Sequence, residues 1–134
     1  MTTLKPGDKA PSFEAVNQKG ETVRLSDFKG KKVLLFFYPK ASTPGCTAEA
    51  CNLRDNYETF LKKGYEVIGA SADTEKKQLN FSEKYDLPYN LLADTDKKVI
   101  EAYGVWGPKK FMGREYDGIH RTSFVIDEKG VIEE

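Results

Sequence analysis

Thiol and imidazole chemistry has little to draw on in this chain: two cysteines and one histidine in 134 residues. With no second Cys or His pair at ligand spacing, a structural metal site is poorly supported. No apolar run approaches the length of a membrane span, and the longest, VLLFFY, is strand-sized. The opening MTTLKPGDKAPSF lacks the apolar core of a secretory signal, so a cytoplasmic location is expected. Net charge is missing too, since 21 Lys and Arg balance 21 Asp and Glu. Lysine pairs such as Lys62-Lys63 and Lys97-Lys98 are interleaved with acids and read as solvated helix ends, not as a nucleic-acid footprint. There is no Gly-rich phosphate loop, and Ser42 and Ser123 stand outside any G-x-S-x-G context. Repeats and low-complexity tracts are absent. One soluble domain with a real core is the expectation.

The pattern along the chain alternates. SFEAVNQKGETVRLSDFKG reads as two short extended segments around Gly20, with Ser26 and Asp27 opening a turn. KKVLLFFYPK is a continuous apolar run ending at Pro39, as in a central strand covered on both faces. From Thr43 to Lys63 the spacing of Leu53, Tyr57, Phe60 and Leu61 predicts one helix, stopped by Gly64. YEVIGASAD and YNLLAD read as strands, with TEKKQLNFSEKYD a helix between them. TDKKVIEAYG predicts a capped helix closed by Gly104. The remainder reads as strand, turn, strand and a hairpin through Glu128-Lys129-Gly130. Strands alternating with helices predict an α/β fold with a partly parallel sheet, made mixed by the antiparallel strands of the closing hairpin.

Both cysteines fall in PKASTPGCTAEAC, at the junction between the central strand and the long helix. Pro44 suits the first helical position, and Thr43 before it is a credible N-cap whose hydroxyl could reach the N–H of Cys46. Cys46 therefore belongs to the first turn, where free N–H groups and the helix dipole favour a thiolate, the nucleophilic form. The plain alternative is a small buried hydrophobe. Cys51 follows five residues later. A regular helix sets side chains at this spacing about 140° apart and their Cα atoms roughly 8.7 Å apart. That exceeds the ~7 Å reach of a disulfide, so a bond between them needs the first turns to unwind. For Cys51 too, a core cysteine is the alternative reading.

YPKASTPGC carries the pattern P-x-x-x-T-x-x-C as Pro39, Thr43 and Cys46. Together with TPGCTAEACNLRD, GVWGPKKFMGREYDGIHRTSF and the order of segments, it resembles the peroxiredoxins, in the bacterioferritin comigratory protein (Q-type) branch. The likeness runs from GDKAPSFE to VIDEKG. It implies a thioredoxin-like fold with a central mixed β-sheet flanked by helices, and a cofactor-free thiol peroxidase acting on hydrogen peroxide and organic hydroperoxides. By position, Cys46 would be the peroxidatic cysteine and Cys51 the resolving one of an intramolecular two-cysteine cycle. Thr43 would bond the thiolate and peroxide, Pro39 would shield the pocket, and Arg121 would meet the thiolate from a neighbouring strand. Gly45 and Glu49 are supporting candidates, Glu49 as a partner for Arg121 from the same helical side as Cys46. On the residues alone, Arg54 and Arg114 compete with Arg121.

The implied cycle passes through a Cys46 sulfenic acid and a transient Cys46–Cys51 disulfide, reduced by thioredoxin or a glutaredoxin-like dithiol protein. His120 is read as structural, and Trp106, Phe111, Met112 and Tyr116 as packing around the pocket. The resemblance also implies a helix after GVIEE, which the sequence ending at Glu134 does not include. A single domain over residues 1–134 is expected to be a monomer, with a dimer as the alternative. Two competing functions use the same thiols: a peroxide-sensing switch and a general thiol–disulfide oxidoreductase. The second would favour C-x-x-C, whereas this chain has C-x-x-x-x-C.

Overall fold

Strand β3 (Lys32–Phe37) is the centre of the molecule. In this computed structural model, which describes residues 4–39, 44–111 and 113–133, its side chains alternate between two apolar layers. Val33, Leu35 and Phe37 enter one layer and Phe36 the other, as the period of two in an extended chain requires. β4 (Tyr65–Ser71) lies parallel to β3, with Leu35 opposite Ile68, and β5 (Asn90–Ala93) lies parallel to β4. β8 (Thr122–Ile126) closes the other side antiparallel, giving the strand order β5-β4-β3-β8. Two antiparallel ribbons flank this sheet: β1 (Glu14–Val16) with β2 (Thr22–Arg24), and β6 (Trp106–Phe111) with β7 (Arg114–Ile119).

One face of the sheet meets α1 (Pro44–Asp55), α2 (Tyr57–Lys62) and α3 (Glu75–Tyr85), in a layer containing Phe36, Tyr38, Cys46, Ala50, Phe81 and Tyr89. The other face packs against α4 (Lys98–Ala102) and the N-terminal ribbon through Phe13, Val23, Ile100 and Tyr103. The central sheet is thus mixed and covered by helices on both faces. Among the described residues, no helix is long and apolar enough to cross a membrane.

Three boundaries differ from the sequence reading. The single helix expected up to Lys63 is broken at Asn56, where ψ is 6°. The Asn56 side chain donates to the Asn52 carbonyl at 2.8 Å, a local bond that competes with helix continuation. Gly64, at φ 84°, still ends the second piece. The closing hairpin turns at Gly130, but its return arm forms only isolated bridges, including Ile126 to Ile132. The N-terminal segment takes the backbone groups of Ile132: Gly7 N–H donates to its carbonyl and its N–H donates to Asp8 O. The antiparallel member of the main sheet is therefore β8 on β3. Finally, α4 begins at Lys98, and the buried Asp94 carboxylate accepts from Ile100 N–H at 2.8 Å, capping the helix from the end of β5.

Gly69 in β4 shows how tightly its cross-strand neighbours Phe36 of β3 and Leu91 of β5 close over it. A Cβ there would stand 2.8 Å from Phe36 Cζ and 2.9 Å from Leu91 Cδ2. Gly69→Ala should destabilise the protein by about 1–3 kcal/mol, read as a lower urea midpoint at unchanged slope.

Candidate active site

Cys46 sits in the first turn of α1, immediately beyond the end of β3, and is 1% exposed. Pro44 and Gly45 precede it within the same helix, so the chain is wound from Pro44 through Cys51. Both cysteines are free thiols, with Cys51 half-buried. Reduced, the protein holds its thiols in a regular helix, and their union requires that helix to open.

The guanidinium of Arg121 reaches the thiol from the opposite side, its Nη2 donating to Cys46 Sγ at 3.1 Å. Register explains the encounter. Thr122 at the start of β8 pairs with Phe37 at the end of β3, so Arg121 stands at the sheet end from which the chain leaves for α1. Glu49, one turn after Cys46, places Oε2 3.9 Å from Arg121 Nε. Burial pushes the Glu49 carboxyl above its ordinary value, and the nearby Arg121 charge opposes this. Arg121 thus stands between the Cys46 thiol and the Glu49 carboxyl.

The competing arginines are placed differently. Arg54 donates through Nη1 to Tyr85 O at 2.7 Å and pairs with Asp55, tying α1 to the end of α3. Arg114 lies in β7. Pro39 occupies a half-buried bend after Tyr38. Thr43 and Met112 lie outside the described residues. His120 is half-buried, and its backbone N–H donates to Val105 O at 2.7 Å. Trp106 packs on the core under Lys97, whose Nζ stands 4.6 Å from the ring centroid. A cavity of about 300 Å³ between Lys9, Leu25, Phe28, Lys31 and Ile126 does not include the thiols.

Sequence reasoning missed a buried polar network beside the cysteine layer. Tyr38 donates its hydroxyl to Gln78 Oε1, and Gln78 Nε2 donates to Ser71 Oγ at 3.0 Å and Leu92 O at 2.8 Å. Ser71 Oγ in turn donates to Asp73 Oδ2 at 2.7 Å. Tyr38, Ser71 and Gln78 are all fully buried, so each group needs these partners. The available signal was Gln78 itself, one turn before Phe81 on the buried face of α3. Tyr89 was missed as well. Its hydroxyl donates to Ala50 O at 2.7 Å, between the two cysteines.

A mixed four-stranded sheet with a buried helix-start cysteine under an arginine defines a thioredoxin-like, thiol-based redox enzyme. The profile of the AhpC/TSA family matches residues 6–134. Peroxiredoxin Bcp of Escherichia coli (strain K12) is 54% identical over 133 residues, covering 99% of this chain and 85% of that protein. Among solved structures, peroxidoxin BcpB from Mycobacterium tuberculosis matches with a TM-score of 0.85 at 38% identity, over 96% of this chain and 82% of that one. A structure of Xanthomonas campestris bacterioferritin comigratory protein, described for its alkyl peroxide reduction activity, matches with a TM-score of 0.87 at 28% identity, over 100% of this chain and 85% of that one. The chain belongs to the AhpC/TSA family and is a peroxiredoxin.

The raised Glu49 carboxyl yields a signed expectation for stability. Its folded-state value lies above its ordinary one, so the group favours folding at low pH. That contribution is lost as pH rises from the ordinary glutamate range through the raised value. Glu49→Gln removes the titration. Denaturant unfolding should therefore show the variant gaining stability relative to wild type as pH goes from acid to neutral.

Proposed function

We propose that Cys46 is the peroxidatic cysteine and Cys51 the resolving cysteine of a thiol peroxidase acting on hydrogen peroxide and organic hydroperoxides. The observation that carries this reading is the 3.1 Å contact from Arg121 to the buried Cys46 sulfur. In the first step the Cys46 thiolate attacks one peroxide oxygen. The O–O bond breaks, that oxygen stays on sulfur as a sulfenic acid, and ROH leaves after taking a proton. Negative charge grows on the departing oxygen, and a fixed guanidinium beside the sulfur is suited to meet it. Arginine keeps its charge in a partly buried site. Glu49 orients that guanidinium through their 3.9 Å approach. Thr43 supplies a hydroxyl to thiolate and peroxide, and Pro39 and Gly45 shape the approach, as the motif implies.

In the second step the start of α1 unwinds, and Cys51 displaces hydroxide from the sulfenic sulfur. The product is a Cys46–Cys51 disulfide and water. A cytoplasmic dithiol protein such as thioredoxin then restores both thiols by exchange.

Cys46→Ser should abolish peroxide consumption in a thioredoxin-coupled assay. Cys51→Ser should keep the first oxidation but end as sulfenic or sulfinic acid by intact mass. Arg121→Gln should lower the rate of Cys46 oxidation by about 10²–10³-fold in stopped flow, the usual consequence of losing one charge-stabilising donor. Full turnover by Cys46→Ser would overturn the assignment.

A further inference from the structure

Ala50 lies between the two cysteines, and its carbonyl is bonded from outside the helix. Tyr89, at the entrance to β5, donates its hydroxyl to Ala50 O at 2.7 Å. Within a regular helix that carbonyl already accepts from the N–H four residues on, so the phenol bond is additional. Ala50 is 0% exposed and Tyr89 2%. The ring is fixed edge-on to Phe36, with centroids 5.8 Å apart, and lies 5.9 Å from Tyr57. Gln18 Nε2 holds the Tyr89 carbonyl at 3.2 Å, anchoring the residue from the other side. Burial, with Cys51 and Glu49 nearby, pushes the phenol above its ordinary value, so it remains a donor at working pH.

Joining Cys46 to Cys51 means opening the turns that contain Ala50, because a regular helix keeps their Cα atoms roughly 8.7 Å apart. We propose that Tyr89 is a positioning residue that latches α1 in its wound state through Ala50 O, and so sets how fast the disulfide forms. This rests on the Cys46 and Cys51 roles given above. The gated step balances without a further reagent: Cys51 Sγ bonds to Cys46 Sγ, the S–O bond breaks, and hydroxide leaves with the Cys51 proton as water. The competing step consumes a second peroxide, whose O–O bond breaks to convert the sulfenic acid to sulfinic acid and release ROH. The latch therefore also sets the peroxide dose at which the enzyme is overoxidised.

The test is Tyr89→Phe, which keeps the ring and removes the donor, compared with wild type and with Tyr57→Phe. Tyr57 belongs to the same apolar layer, but its hydroxyl donates to Glu66 at 2.7 Å and not to α1. Stopped flow with hydrogen peroxide, followed by intact mass, separates the first oxidation from disulfide formation. In Tyr89→Phe the first phase should be unchanged, which also certifies a folded site. The second should be about fivefold faster, the effect of losing one ordinary hydrogen bond from the wound state alone. The peroxide dose for half conversion to sulfinic acid should rise by the same factor. Amide exchange in reduced α1 should quicken likewise. An unchanged or slower second phase overturns the latch, as does equal acceleration in Tyr57→Phe. A wild type that never loses two hydrogens overturns the Cys51 role and the latch together.

Discussion

The contact between the Arg121 guanidinium and the Cys46 sulfur depends on one structural choice, the antiparallel pairing of β8 with β3. Thr122 lies opposite Phe37, so the residue before β8 stands where the chain leaves β3 for α1. A parallel β8 would carry Arg121 to the far end of the sheet. A slip of one residue would turn its neighbours to the opposite face. Phe124 and Ile126 enter the buried layer beneath, which opposes such a slip. The contact between Arg121 and Cys46 is therefore a by-product of core packing.

The surroundings divide into firm and yielding parts. At the ends of β3, β4 and β5, the linked groups of Tyr38, Gln78, Ser71 and the Leu92 carbonyl tie α3 to the sheet in a region without water-facing alternatives. Such a network is costly to disturb because every member would be left unpaired. The start of α1 is different. Among the described side chains there, the buried ones are small, Cys46 and Ala50, whereas Leu53, Tyr57 and Phe60 pack further along. Little apolar area is surrendered when the first turns open, and local unfolding is cheapest where few apolar contacts are lost. Two polar contacts from outside the helix bear on these turns: Arg121 on the Cys46 sulfur and Tyr89 on the Ala50 carbonyl.

Much of this was legible in the residues. The apolar run VLLFF announced a strand covered on both faces, and the alternation of strands and helices announced the α/β class. Pro44 placed Cys46 in the first turn of a helix, because helix starts are local and depend on neighbours in sequence. The split at Asn56 was hidden, since the apolar spacing continues through it while a single side-chain bond to Asn52 interrupts the helix. The closing hairpin was half legible. Its turn is local, but the competition from Gly7 and Asp8 for Ile132 comes from the other end of the chain.

By its own order of residues the sequence determined where the two thiols stand, the helix that carries them and the five-residue spacing that forbids a disulfide in that helix. Each follows from backbone geometry over a few residues. Apart from the family resemblance, nothing in the order of residues set Arg121 above Arg54 and Arg114; its contact with the sulfur, like the Tyr89 bond to the helix between the thiols, is set by tertiary structure. Arg121 lies 75 positions from Cys46 and Tyr89 lies 39 from Ala50. Contacts at such separations have no periodicity to read, because strand pairing and core packing alone set them.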